Sequence, residues 1–421
     1  MPSNTVLTPD KILRAAYAVM HQKSNFIMKV NRQYDDAFDA DGVNGGETLR
    51  IRVPTQFTVR TGNTMATQNY VERSVPLPRS TIKGVDLNFG QQELSFSLED
   101  FTERVIAPAA SRLIAAVEED AFSMYKQVPN FVGSVTVTTA SGLNYLQFQT
   151  AGRYISENLA PPTDRYVCVN PESRVTFSDA VKGLFQSTEK IRDQYVEGLM
   201  GRTGGFDVAE NTIVPAHTSG TFTATTISVT TTAGSTGFFD GTGNAYSNTP
   251  FSINIDGTSA ITLEAGDIVT FSGVNDVHPE TKQDLGYLKR FVVQAQATGT
   301  STLTFTILPV PIVGGAYANV SAAILNNAVM TLLGPATTVA AITYGQNLFF
   351  HKDAFAFVTA DLIDPSQFGA WGGRRVEDNL SLRIWRQGDI ANGSIPCRLD
   401  IAYGYTPVYP WWATRHVHMR S

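Results

Sequence analysis

Residues 217–334 read as an all-β block set inside a chain whose two flanks look like parts of one mixed α/β domain. The block is rich in Thr, Ser and Gly and carries the runs TATTISVTTT, PFSINI, SAITLEAGDIVTFSGV, LKRFVVQAQ and STLTFTILPVPI. Ile268, Thr270 and Ser272 alternate with Val269 and Phe271, the period-two pattern of half-buried strands, and Gly and Asp turns separate the runs. Several such strands at short spacing predict a small barrel or sandwich. A block of this kind decorates a host fold rather than building an active site, so the flanks must say what is being decorated.

On the N-terminal side, Thr8, Pro9 and Asp10 form a helix start, and Ile12, Ala15, Ala16, Val19 and Met20 give an apolar stripe through about His21. From Gly45 the texture changes to TLRIRVPTQFTVRTG, a polar tip from Asn63 to Asn69, then YVERSVPLP. Two extended limbs around such a tip predict a long hairpin arm, which the prolines at 54, 76 and 78 keep away from a central sheet position. An arm with so little core of its own has to lie on a neighbour. Ser97 and Asp100 make an N-cap arrangement. A helix is expected over 98–127, with Phe101, Val105, Ala109, Leu113, Val117 and Ala121 stepping by four and Ile106, Ala110, Ile114 and Tyr125 widening the stripe. It would span roughly 45 Å, with Pro108 forcing a kink near Arg104 or a restart. Beyond Pro129 the pattern predicts a helix near 143–159, the buried strand RYVCVN and a helix beginning after Ser178. After Gly334 three strand-like runs return: NLFFHKDAFAFVTADLI, LSLRIWRQGDI and PCRLDIAYGYTPVYP.

At 421 residues the chain has room for two or three domains with their own cores. Charged residues make up only 17%, for a net charge of −6. That is sparse for the outside of a solvated monomer, so much of the surface is expected to touch other protein. No Lys/Arg block suggests a DNA-sequestering or membrane-binding face, although a shell around DNA needs none. No segment reaches the roughly 18 apolar residues of a membrane span, and MPSNTVLTPDK lacks the pattern of a signal peptide, which suggests synthesis and retention in a cytoplasm. Cys168 and Cys397 both sit in strand-like runs and read as buried reduced thiols rather than a disulfide.

Signals for chemistry are weak. No GxSxG, HExxH, phosphate loop or dinucleotide fingerprint occurs. Of the histidines at 21, 217, 278, 351, 416 and 418 only the last two are close, and TRHVHMRS reads as a solvated basic tail rather than a metal site. Glu118, Glu119 and Asp120 point in different directions on a helix and read as a solvated face. Tyr403, Tyr405, Tyr409, Trp411 and Trp412 fit a core strand and a docked tail better than a sugar platform. No catalytic, cofactor-binding or metal-ligating set is therefore assigned, and no cofactor is expected.

The order of N-terminal helix, hairpin arm, long helix, α/β region with an insertion, and returning strands resembles the HK-ninety-seven-like fold of tailed-bacteriophage major capsid proteins. More closely it is similar to the coat proteins of the phage P-twenty-two type, which carry an inserted β-barrel domain. The residues behind the likeness are GFDVAENTIVP, LEAGDIVTFSGVNDVH, AYANVS and CRLDIAYGYTPVYP.

The resemblance implies an α+β fold divided as follows: an N-terminal arm with helix over 1–44, an extended arm over 45–85, a peripheral domain with a spine helix over 86–129 and an axial domain over 130–216. An inserted barrel over 217–334 and returning axial and peripheral strands with a tail over 335–421 complete it. It further implies a non-enzymatic major capsid protein of the virion that self-assembles in the bacterial host cytoplasm into an icosahedral procapsid of hexamers and pentamers. Scaffolding protein, a portal and packaged double-stranded DNA, held without sequence-specific binding, would be its partners, with no membrane involved. The loop 238–250 is the expected contact between capsomers, with Asp240 as a charge partner at a two-fold junction, and Asn63, Thr64 and Asn69 at the arm tip are further candidate contacts. Some shell proteins of this fold crosslink an arm Lys to an Asn, but 45–79 contains no Lys and Lys83 stands only at its base, so self-crosslinking is not expected. A secreted or surface adhesin that binds carbohydrate remains the alternative, with the long helix and missing signal peptide counting against it.

Overall fold

A computed structural model describes residues 9–33, 48–65, 67–68, 73–78, 81–90, 105–133, 142–181, 202–221, 227–230, 251–256, 261–300, 302–333, 341–369, 371–388 and 394–419. The chain divides into two compact units, one made of Met1–Ile51, Pro76–Phe122 and Phe355–Val408, the other of Arg52–Val75, Ser123–Ala354 and Tyr409–Ser421. Each is assembled from segments far apart in sequence. The arm limbs Thr48–Val53 and Arg73–Pro78 pair as a two-stranded sheet.

In the first unit the N-terminal helix Pro9–Lys23 packs on the long helix Ala107–Phe122. The N-terminal stripe is Ile12, Leu13, Ala16, Tyr17 and Met20, with Ala15 and Val19 at its margin. The long helix buries Ala109, Ala110, Leu113, Ile114, Val117 and Ala121, as the step of four predicts. The backbone at 105–106 has the wider π winding and Pro108 follows at once, the local irregularity expected where a backbone donor is missing. Residues 98–104, including the kink expected near Arg104, lie outside the described residues. Phe26 stacks on Phe122 at 4.3 Å between centroids.

In the acidic run on this helix Glu119 is exposed, as a solvated face requires, but its two neighbours are not. Glu118 is buried and its Oε1 accepts from the backbone N–H groups of Asn25 and Phe26 at 2.9 and 2.6 Å, which ties the chain after the first helix to the second. Asp120 pairs with Lys83 at 2.7 Å and accepts the Tyr403 hydroxyl. The sheet of this unit runs along the 14-residue strand Ser394–Pro407, which pairs with Thr81–Gly90, Leu380–Arg386 and Phe355–Ala360. Asp400 lies opposite Gly84 and accepts from Arg383 and Arg398 at 2.6 and 2.9 Å. A Cβ at Gly84 would collide with that carboxylate, which explains a glycine in mid-strand.

In the second unit a seven-stranded sheet has the order Asn130–Val132, Ala413–Met419, Thr343–His351, Arg165–Val169, Phe206–Glu210, Arg202–Thr203, with Ala216–Thr218 also pairing with Thr343–His351. One face packs on the helices Tyr145–Glu157 and Pro171–Val181 through Phe148, Ala151, Ile155, Val167, Val169, Phe177 and Phe349. The helix Pro171–Val181 was not expected from the sequence, and the helix expected to begin after Ser178 falls mostly over 182–200, outside the described residues. Asn170 caps Pro171–Val181 by accepting from the Ser173 N–H at 2.8 Å, and Pro171 takes the first position, so the strand RYVCV runs straight into a cap.

The insertion is a closed barrel of Phe251–Asp256, Thr302–Leu308, Asp284–Val293, Ile268–Val277, Val329–Leu333 and Ile227–Val229, in that order. In Phe251–Asp256 the apolar Phe251, Ile253 and Ile255 point inward and the polar residues outward. The interior is filled by Val, Ile, Leu and Phe side chains. Ile268 and Leu333, paired across two barrel strands, face outward and pack with Phe131, Tyr344 and Val417 on the sheet. Cys168 and Cys397 are buried and form no disulfide, and burial pushes Cys397 up to about 11.

Candidate functional site

The barrel leaves and rejoins its sheet through a paired stem. Thr218 lies opposite Thr343, His217 opposite Tyr344 and Ala216 opposite Gly345, and Ser219 exchanges hydrogen bonds with Ile342. This antiparallel pair fixes where the barrel must sit, and polar side chains gather at its foot.

Asp267 is the centre of that group and is 0% exposed. Gly266 before it has φ +102, a left-handed turn that brings Asp267 back toward the stem. One carboxylate oxygen accepts from the Gly220 and Glu264 N–H groups at 3.0 and 2.8 Å, and the other from His217 Nε2 at 2.9 Å. Gly220 approaches the Thr262 backbone so closely that a Cβ there would collide with its carbonyl. His217 Nδ1 lies 3.1 Å from the Tyr125 hydroxyl, which donates to it when Nε2–H serves Asp267. Burial raises Tyr125 to about 12, so the hydroxyl keeps the proton it donates. Arg415 Nη1 donates to the Gly266 carbonyl at 2.9 Å, and its guanidinium lies 5.7 Å from the Tyr125 ring. Burial pulls Arg415 down to about 10, against the opposing pull of Tyr344, Tyr125 and Asp267.

Tyr, His and Asp in one hydrogen-bonded line resemble a proton relay, yet all three are buried and every named donor ends on a protein acceptor. The arrangement holds the stem, the barrel turn and the C-terminal strand to one another. Hydrogen bonds to a charged group contribute about 1.5–3 kcal/mol each, so this is a strong clasp.

A second contact lies on the barrel's flank. Tyr287 donates to Glu157 at 2.9 Å, Arg290 Nη2 donates to the Tyr154 hydroxyl at 2.7 Å, and the Arg290 guanidinium sits 4.2 Å from the Tyr154 ring centroid. Arg153 pairs with Glu157 at 2.7 Å and faces the Tyr287 ring at 5.5 Å. Tyr154 is buried, Glu157, Tyr287 and Arg290 are half-buried and Arg153 is exposed, so this contact is more open to water than the clasp.

The other face of the sheet corrects the reading of TRHVHMRS as a solvated tail. Ala413–Met419 is an interior strand between Asn130–Val132 and Thr343–His351, and Arg415, His416 and His418 are buried. His416 Nδ1 and Nε2 lie 3.2 Å from Asn347 Nδ2 and from Gln147 Oε1, and burial, then His418, depress it to about 3. No cluster of three or more His, Cys, Asp or Glu positioned for a metal occurs among the described residues. Of the candidate contact residues, Asn63 and Thr64 are exposed, while Asn69 and Asp240 lie outside the described residues. The limb leading to the tip rests on the barrel, where the Gln56 N–H donates to the Tyr317 hydroxyl and Lys282 Nζ to Gln56 Oε1, both at 3.3 Å. Phe57, Val59 and Met65 beyond it are exposed, Val59 at 98%. Sequence reasoning missed the clasp because His217, Asp267 and Arg415 are far apart in the chain; the alternation of Arg415, Val417 and Met419 against Thr414, His416 and His418 was the one available sign of a strand.

A closed barrel is set between paired strands of a host sheet, and comparison with known families gives the class of such a chain as viral coat protein. The chain matches the model of the P22 coat protein, gene protein 5, over residues 29–413 and belongs to that family. It is a structural major capsid protein of the bacteriophage type. Similar solved structures include that of Mycobacterium phage Che8, at 11% identity over 94% of this chain and 91% of that one with a TM-score of 0.46. The satellite phage P4 procapsid including size determination (Sid) protein is similar at 8% identity over 99% and 94%, TM-score 0.39. The CUS-3 coat protein I-domain is 30% identical over 27% of this chain and 98% of that one, TM-score 0.21. No curated protein matches the chain.

Proposed function

We propose that the chain closes into an icosahedral procapsid of hexamers and pentamers, formed with a scaffolding protein and a portal in the host cytoplasm, which then matures around packaged double-stranded DNA. The observation that carries this reading is the family match, which spans residues 29–413 and so takes in the arm, the barrel and the start of the last strand. In the HK-ninety-seven-like layout, 45–85 is the arm that overlaps an adjacent subunit, 98–127 the spine helix, 130–216 part of the axial domain and 217–334 the barrel reaching between capsomers. Asn63, Thr64 and Asn69 meet a neighbour at the arm tip, and Asp240 meets a basic group at a two-fold junction. The exposed Phe57, Val59 and Met65 of the arm support overlap with a neighbour, since covering apolar surface on association is favourable. No helix among the described residues is long and apolar enough to cross a membrane. The subunit's work is geometric rather than catalytic: one fold makes similar contacts in non-identical surroundings, and binding energy is spread over many weak interfaces. Electron microscopy of the chain coexpressed with its scaffolding partner tests this. Closed shells are expected; monomers or small oligomers alone would overturn it.

A further inference from the structure

Beside the clasp, two neighbouring side chains carry buried polar atoms that no described residue partners. They are Nε and Nη2 of Arg415 and Nε2 and Oε1 of Gln346. Leu348 lies opposite Arg415 and Gln346 opposite Val417, so the two are diagonal neighbours on the barrel-facing side of the sheet. Gln346 is 0% exposed and Arg415 1%. Other unpartnered atoms, such as Asn211 Nδ2 and Trp385 Nε1, occur one to a residue; here two adjacent side chains each carry two. Buried polar groups are nearly always satisfied by protein or ordered water, because leaving one bare costs about 1–3 kcal/mol.

The chemistry of the set selects the ligand. Nε and Nη2 form the side-on fork of a guanidinium, and with the Gln346 amide they supply donors, whereas Gln346 Oε1 is an acceptor. The Arg415 charge already has Asp267 within its electrostatic reach. A ligand here must therefore both accept and donate without bringing charge. We propose that ordered internal water bridges Arg415 and Gln346, so that the barrel rests on its sheet through a hydrated joint beside the Asp267 clasp. An anion would satisfy the guanidinium fork, yet it would repel Oε1 and upset the Arg415–Asp267 balance. Water bridges re-form after small displacements at little cost, so the joint tolerates slight rocking of the barrel while the clasp holds.

Two measurements test this. A density map of the full chain at about 2 Å, in the range where bound water is seen, is expected to show density in hydrogen-bonding contact with both side chains. Direct protein partners for all four atoms, or tight packing with no density, would overturn the proposal, as would density that strengthens when bromide replaces chloride. The soluble subunit gives an independent sign test that needs no shell. Gln346→Leu removes bridged hydrogen bonds if the site is hydrated and is expected to lower the urea midpoint of the barrel-containing transition by about 0.5–1 M. An unchanged or raised midpoint would mean that Gln346 was bare, and would contradict the proposal.

Discussion

The foot and the flank of the barrel meet the same host by opposite physical means. At the foot, Asp267, His217, Tyr125 and Arg415 are buried and charge-assisted, so losing any partner strands a polar group away from water. On the flank, Arg290, Tyr287 and Glu157 are half-buried around the buried Tyr154 and make similar hydrogen bonds and cation–π contacts, with less of the group sealed from water than at the foot. The foot thus fixes position, whereas the flank sets orientation and can be released at low cost.

The contrast breaks most readily at its centre. Asp267→Ala leaves His217 and the Gly220 and Glu264 amides without their acceptor and Arg415 without its counter-charge; a loss of about 3–5 kcal/mol is expected in urea unfolding of the subunit. An effect no larger than that of a flank substitution would erase the distinction. Acid attacks the host sheet from its other face. His416 is depressed in the folded state, so the unfolded chain takes up its proton first. Its contribution is complete above the ordinary histidine pKa and is lost as pH falls from there toward about 3, at about 1.4 kcal/mol per pH unit. His416→Gln should flatten that part of the stability profile. Arg290→Ala should cost only about 1 kcal/mol while loosening the flank, seen as faster amide exchange over 284–290 with the foot unchanged. Val59→Ser should leave subunit stability within about 0.5 kcal/mol and instead slow assembly, followed by light scattering.

The parts legible in the sequence were those with a local period. Alternation in Phe251–Asp256 marks the barrel, and the step of four from Ala109 to Ala121 marks the long helix, because each pattern is a direct projection of burial. The clasp was not legible, since Tyr125, His217, Asp267 and Arg415 come from four separate segments that the tertiary fold alone brings together. The C-terminal strand was misread for a related reason: arginine and histidine near a chain end usually mark a solvated tail, and only pairing with Thr343–His351 reveals burial. Glu118 was missed similarly, as its partners are backbone amides, which have no signature in sequence.

Amide hydrogen exchange, compared between soluble subunit and assembled shell, tests the central claim most directly. The Gly220, Glu264 and Gly266 amides at the foot should be strongly protected in both states, and 56–65 on the arm protected only in the shell. Exchange at the foot in either state, or an arm equally protected in both, would contradict a barrel clasped permanently at its base in a subunit that adapts elsewhere.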